Sequence, residues 1–233
     1  IMLTTLSPAP VNPGTDGLLA KYAMENNVQD TSGNGLNGTL VGTANGGLTF
    51  VDALSGYGKA LVFDGNDDCV DLGNKPEFNP AGSFSVSIWA KINTWSSQWG
   101  HVMIGNRGED NIGWQIRRYS NSSLCFTTRG ISNDDTNSNA TPGLNVWTNI
   151  TCVYDSEAHT KSIYIDGVLD KTVDLTGTNY VIAATTHNTY IGARANSANT
   201  GRDGLFKGTL DQILIYNRAL SAGEAAFLAD PTP

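Results

Sequence analysis

Histidine and cysteine are scarce in this chain, with three of each among 233 residues, and positive charge is nearly as sparse: 14 Lys and Arg against 22 Asp and Glu, a net charge of −8. A nucleophilic triad needs a Ser or Cys beside an oriented histidine, and none of His101, His159 and His187 lies in a nucleophile-elbow setting. Cys69, Cys125 and Cys152 are too scattered for a C-x-x-C zinc site. Cys125 and Cys152 fall in successive predicted strands, where they are either a disulfide pair or two buried thiols. The acidic balance argues against nucleic acid or an anionic membrane as partner, since both select basic surfaces. No apolar run approaches the roughly 18 residues a membrane helix needs. No helical period is sustained before residue 221, and no E-x-D-x-E run offers paired acids from one strand for glycoside hydrolysis.

What the chain has instead is glycine, 26 residues of it, with abundant Thr, Asn and Ser and only 15% charged residues, a composition of short strands and tight turns. Ser83 to Lys91 alternates, placing Phe84, Val86, Ile88 and Ala90 on one side and Ser85, Ser87, Trp89 and Lys91 on the other. Asp166-Gly167 is a hairpin turn between two strands. Near the C-terminus a strand burying Leu210, Ile213 and Ile215 runs into a short helix capped by Ser221 with Glu224 three residues on. All-β sandwiches reach this length as single units, so one domain over 17–229 is expected. It is preceded by a Pro-rich linker over 1–16 and followed by a linker remnant over 230–233. The first residues lack the charged and apolar regions of a signal peptide, so the sequence reads as a piece of a longer modular chain. Those linkers, and the sequons at Asn37, Asn121, Asn139 and Asn149, favour a secreted, extracellular setting.

Six motifs occur in order: Phe63-x-Gly65-x-x-Asp68-x-Val70, Phe84 to Trp89, Trp147-x-x-Ile150-x-x-x-Tyr154-Asp155, Tyr164 to Gly167, Tyr190 to Arg194, and Gly208 to Ser221. Together they resemble the laminin-G-like, concanavalin A-like jelly-roll family over about residues 17–229. The resemblance implies an all-β, two-sheet antiparallel β-sandwich with a short C-terminal helix and a structural calcium at its edge. Its members include carbohydrate-binding modules, lectins and adhesion domains.

Calcium asks for several oxygen ligands. Asp30 and Asp211 are the candidate carboxylates, and the family's arrangement implies oxygens from Asn34 and Asn37 in the glycine-rich turn, with Glu25 as an extra candidate. The alternative is that Asp30 only caps its own turn. For a glycan, strand parity puts Gln115, Arg117, Arg129 and Tyr164 on one outward face, with Trp99 in a polar loop as a stacking residue. Arg117 and Arg129 could grip the carboxylate or sulfate of an acidic polysaccharide, or simply pair with the surplus carboxylates. The expected function is therefore a non-catalytic, calcium-stabilised module that binds a poly- or oligosaccharide beside other domains of a polysaccharide-acting protein. The alternatives are an adhesion or architectural domain and, third, a lyase or hydrolase, for which Gln115, Arg117, Tyr164 and His101 could imitate a catalytic cluster.

Overall fold

The computed structural model describes residues 8–43, 47–95, 100–108, 112–119, 123–196 and 201–232. In chain order the strands are β1 (Leu18–Tyr22), β2 (Thr39–Val41), β3 (Thr49–Asp52), β4 (Lys59–Asp64), β5 (Cys69–Gly73), β6 (Phe84–Ile92), β7 (Val102–Gly105), β8 (Trp114–Arg118), β9 (Leu124–Thr128) and β10 (Asp135–Asn137). They continue with β11 (Trp147–Asp155), β12 (Thr160–Ile165), β13 (Val168–Asp174), β14 (Thr189–Ile191), β15 (Arg194–Ala195), β16 (Arg202–Asp203) and β17 (Lys207–Tyr216), before helix α1 (Ala222–Leu228). Two antiparallel sheets face each other. The eight-stranded sheet runs β13-β12-β11-β6-β17-β4-β3 with β1 also on β17, and the seven-stranded sheet runs β10-β9-β8-β7-β14-β5-β2. A small hairpin, β15-β16, stands at one end.

The alternation of β6 explains the packing. Phe84, Val86, Ile88 and Ala90 enter the core between the sheets, where the Phe84 ring meets Trp114 at 5.1 Å, Phe126 at 5.7 Å and Tyr154 at 6.1 Å. Trp114, whose indole N–H donates to the Phe78 carbonyl at 2.8 Å, is thus a core residue. The opposite side of β6 is covered too: Ser85 Oγ donates to the Arg218 carbonyl and accepts from Leu220 N–H, so its small polar side chains sit under the chain that follows β17. The β12-β13 turn is the expected hairpin, with Asp166 and Gly167 both at positive φ (48° and 74°). Helix α1 carries the full capping box, Ser221 accepting from Glu224 N–H while Glu224 accepts from Ser221 N–H.

Strand β17 changes partner midway. Residues Lys207 to Leu210 pair with β4, and Ile213 to Tyr216 pair with β1. The handover falls at Asp211 and Gln212, where the register against β6 slips and Gln212 takes φ 43°. Beyond β17, Arg218 ties both chain ends together, donating to the carbonyls of Pro13 and Asp16 and to the Glu224 carboxylate. The three cysteines are buried and unpaired. Cys152 belongs to the core between the sheets, whereas Cys125 Sγ lies 3.5 Å from Thr127 Oγ1 and Asp135 Oδ1.

Candidate functional site

Strand pairing builds a polar row across the outward face of the seven-stranded sheet. Asp71 on β5 stands opposite Tyr190 on β14, Tyr190 opposite Gly105 on β7, Gly105 opposite Gln115 on β8, Gln115 opposite Thr127 on β9, and Thr127 opposite Asp135 on β10. Gly105 has to be glycine here: a Cβ would lie 2.5 Å from both the Gln115 Cβ and the Trp114 carbonyl oxygen. Gln115 is fully buried, and neither its amide nitrogen nor its amide oxygen has a partner. An unmet buried amide costs about 1–3 kcal/mol.

Guanidinium groups crowd around this row. Arg117 lies 3.4 Å from the Asp135 carboxylate and donates to Thr127 Oγ1, while Arg129 pairs with both Asp134 and Asp135. The surplus carboxylates do therefore pair with these arginines. Burial alone would raise the Asp135 carboxyl, yet the Thr127 hydroxyl with Arg117 and Arg129 brings it below the usual value. Arg107, in the loop after β7, completes the group. Burial and the neighbouring charges of Arg129, Arg194 and Arg117 push it down to about 10 against the opposing pull of Asp135, and its Nε has no partner. Arg194 pairs with Asp203 across the β15-β16 hairpin. Among the described residues, the guanidiniums of Arg107, Arg117, Arg129 and Arg194 thus gather with the carboxylates of Asp134, Asp135 and Asp203.

Lys161 of β12 fixes the turn that bears Arg129. Its ammonium, fully buried between the sheets, donates to the carbonyls of Phe126, Asn133 and Asp134, which satisfies all three of its hydrogens. Arg194 also joins the patch to a groove of about 610 Å³ at the rim, lined by Asp64, Asn66, His101, Arg202 and Lys207 among others. His101 there is buried at φ 61° with neither ring nitrogen bonded. Burial, then Arg118 and Lys207, hold its pKa below the ordinary imidazole value.

Of the expected glycan residues, the structure brings together Gln115, Arg117 and Arg129. Tyr164 is a correction. It does point away from the core, but from the other sheet, where it packs with Val153, Tyr216, Leu220 and Ala225 under α1. The imagined catalytic cluster of Gln115, Arg117, Tyr164 and His101 is therefore split between two sheets. Trp99 lies outside the described residues. Arg107 was missed because it follows β7 in a loop, where strand parity assigns no direction. Arg194 stood in a quoted motif, and its charge was the available signal.

The terminal metal set is also corrected. Asp30 Oδ1 accepts from Lys21 and Ser32 N–H, and Oδ2 from the Ser32 hydroxyl and Leu36 N–H. Asn37 Oδ1 accepts from Asp30 N–H, and Asn34 spends its amide hydrogens on the Leu18 and Leu19 carbonyls. These contacts organise a turn, and the carboxylate faces hydrogen-bond donors where a cation would need bare oxygens. Asp30 also sits on the far edge of β1: Tyr22 is bridged by Asp30 on one side and by Ile213 of β17 on the other. Asp30 and Asp211 are thus separated by a strand and do not fit one ion. Asp211 itself is 1% exposed, opposite Trp89, and bonded to Gln212 N–H at 2.7 Å. Burial, with the Glu25 charge adding to it, raises its pKa to about 7.

A family profile described as the concanavalin A-like lectin/glucanases superfamily matches residues 64–226. Over 110 residues, 42% of this chain, the sequence is 36% identical to botulinum neurotoxin type C of Clostridium botulinum C phage, of which that match spans only 8%. Among solved structures, domain 4 of AbnA, an extracellular GH43 arabinanase from Geobacillus stearothermophilus, solved with arabinotriose, superposes with a TM-score of 0.68 at 22% identity, over 91% of this chain and 98% of that one. The binding domain of paraclostridial mosquitocidal protein 1 gives 0.70 at 18% identity, over 93% of this chain and 52% of that one. A botulinum neurotoxin type C structure, described as needing two ganglioside molecules for cell entry by the toxin, gives 0.67 at 18%, with 51% of its length covered.

Proposed function

The chain belongs to the concanavalin A-like lectin/glucanase superfamily, and from that premise we propose that it is a non-catalytic carbohydrate-binding module of a secreted, modular, polysaccharide-acting protein. The glycan lies over the outward face of the seven-stranded sheet and runs to the rim groove. One observation carries this reading: Arg117, Arg129 and Arg194 lie close enough to Arg107 to lower its pKa, on a sheet that also holds the buried, unsatisfied amide of Gln115, in a chain of net charge −8. Crowded cations and an orphaned amide are a standing cost to the fold, and a bound anion with neighbouring hydroxyls relieves it. The preferred ligand class is therefore an acidic glycan, bearing uronate or sulfate. The arabinotriose-bound arabinanase domain and the ganglioside-dependent toxin lend support by likeness of fold.

A calcium ion at the termini is an expectation from the family, and in this chain it falls to Glu25 and Asp211, whose carboxylates repel each other, and away from the Asp30 turn. There it would join the handover point of β17 to the end of β1 and serve stability.

Affinity electrophoresis on neutral and acidic polysaccharides tests the function. The parent should be retarded by an acidic polysaccharide, and the paired substitution Arg117→Ala with Arg129→Ala should abolish the retardation. Equal mobility of parent and variant on every gel would overturn the reading, as would accumulation of unsaturated or reducing products.

A further inference from the structure

We propose a second glycan subsite on the opposite face of the sandwich, a pocket over Trp89 beside α1 that takes the terminal ring of a neutral oligosaccharide. Trp89 belongs to the outward row of β6, after Ser85 and Ser87, and is 6% exposed. Its indole N–H is buried without a hydrogen-bond partner, an unmet donor that costs stability until an acceptor arrives. A pocket of about 210 Å³ opens over it, walled by Tyr57, Phe227 and Gln212, with Lys21 and Asp230 also lining it.

Strand β17 is distorted to build that wall. Leu210 and Ile213 both enter the core, so the two residues between them cannot follow strict alternation. The register against β6 slips after Asp211, the residue opposite Trp89, and Gln212 is held at φ 43°, a left-handed conformation that carries a cost for any residue with a side chain. The bulge turns Gln212 into the pocket, where its amide adds a donor and an acceptor. The Tyr57 ring stands 6.1 Å from that of Trp89 at 45°, tilted and not stacked. Its hydroxyl donates to the Asp230 carbonyl at 2.7 Å, which holds the chain beyond α1 against the pocket.

The lining selects the ligand. A wholly apolar occupant would leave the indole N–H and the Gln212 amide unmet. An acidic sugar would meet Asp230 and Asp211, whose charges, after burial, raise the Tyr57 hydroxyl while the nearby Trp89 N–H opposes them without closing a hydrogen bond. A neutral sugar suits every wall: its C–H faces fit Tyr57 and Phe227, the latter 38% exposed, and its hydroxyls fit the indole N–H and the Gln212 amide. Lys21, Leu214, Phe227 and Leu228 also line an adjoining groove of about 400 Å³ that reaches Thr15 and Ser32 and would hold the rings that follow.

Saturation-transfer NMR titration with arabinotriose, cellotriose and maltotriose tests the pocket. At least one trimer should bind with a Kd of about 1 mM. Gln212→Gly removes the amide and gives the left-handed position the residue that tolerates it best, so it should weaken that binding about tenfold with the thermal midpoint held or raised. Trp89→Phe, which keeps an aromatic ring and removes the N–H, should weaken it comparably. Trimer binding that survives the paired substitution Arg117→Ala with Arg129→Ala separates this pocket from the acidic-glycan face, so that either reading can fail without the other. Loss of trimer binding in that variant would place the trimer on the other sheet and overturn the proposal. So would the absence of saturable binding by all three trimers, or an unchanged Kd in Gln212→Gly.

Discussion

The two outward faces of this sandwich obey one rule of alternation and reach opposite ends. On the eight-stranded sheet, Tyr164, Val153 and Tyr216 point outward into an apolar contact closed by Leu220 and Ala225 around α1. On the seven-stranded sheet, Gln115, Thr127, Arg117 and Asp135 point outward into a charged layer that leaves an amide unsatisfied. The first face contributes stability through burial of apolar area. The second gives up some stability to hold like charges together.

The sharpest break of the comparison is Tyr164→Ala. It should destabilise the fold by about 3 kcal/mol in chemical denaturation, a typical loss for a large buried side chain, while leaving glycan binding intact. Loss of binding at unchanged stability would place Tyr164 in the site after all. The mirror experiment is Arg107→Gln. Binding of an acidic oligosaccharide should fall by about ten- to hundredfold, the worth of one charged hydrogen-bonding group, and the thermal midpoint should hold or rise as the crowding of arginines is relieved. A fall in midpoint would mean that Arg107 supports the fold and is not poised for a ligand.

A smaller effect concerns the carboxylate under Trp89. The folded pKa of Asp211 is raised to about 7, so the fold favours its protonated form. The resulting stability is complete below the unfolded carboxylate range and is lost as pH rises through 7. In metal-free protein, Asp211→Asn should be nearly neutral at pH 4 and stabilising by about 2 kcal/mol at pH 8. A pH-independent difference between the two proteins would remove the burial argument. Least disruptive is the salt dependence: binding to the arginine patch should weaken steadily with added NaCl, whereas the α1 contact should not.

The strands, the Asp166-Gly167 hairpin, the capping box and the identity of the core residues were legible because each is a local pattern with a local cause. Tyr164 shows where that legibility stops. Period-two alternation assigned it correctly to the side away from the core, but two sheets have two such sides, and only the topology says which one a strand joins. Asp30 shows a second limit: an oxygen-rich, glycine-rich turn has the same composition whether its carboxylate receives a cation or four donors. The difference lies in where the backbone N–H groups of Lys21, Ser32 and Leu36 converge. Asp68 is the converse, an acid in a polar turn that is enclosed, 2% exposed, with one oxygen accepting from Asp64 N–H.

The Arg218 clasp has a mechanical meaning. Leu18 pairs with Tyr216, so the chain arrives at β1 and leaves β17 at the same end of that strand pair. Tension applied through the flanking segments would then peel β1 from β17 one hydrogen bond at a time instead of shearing all of them together. Arg218, holding Pro13, Asp16 and Glu224 at that very end, takes the load first. It is the pin that must shear before the zipper can open.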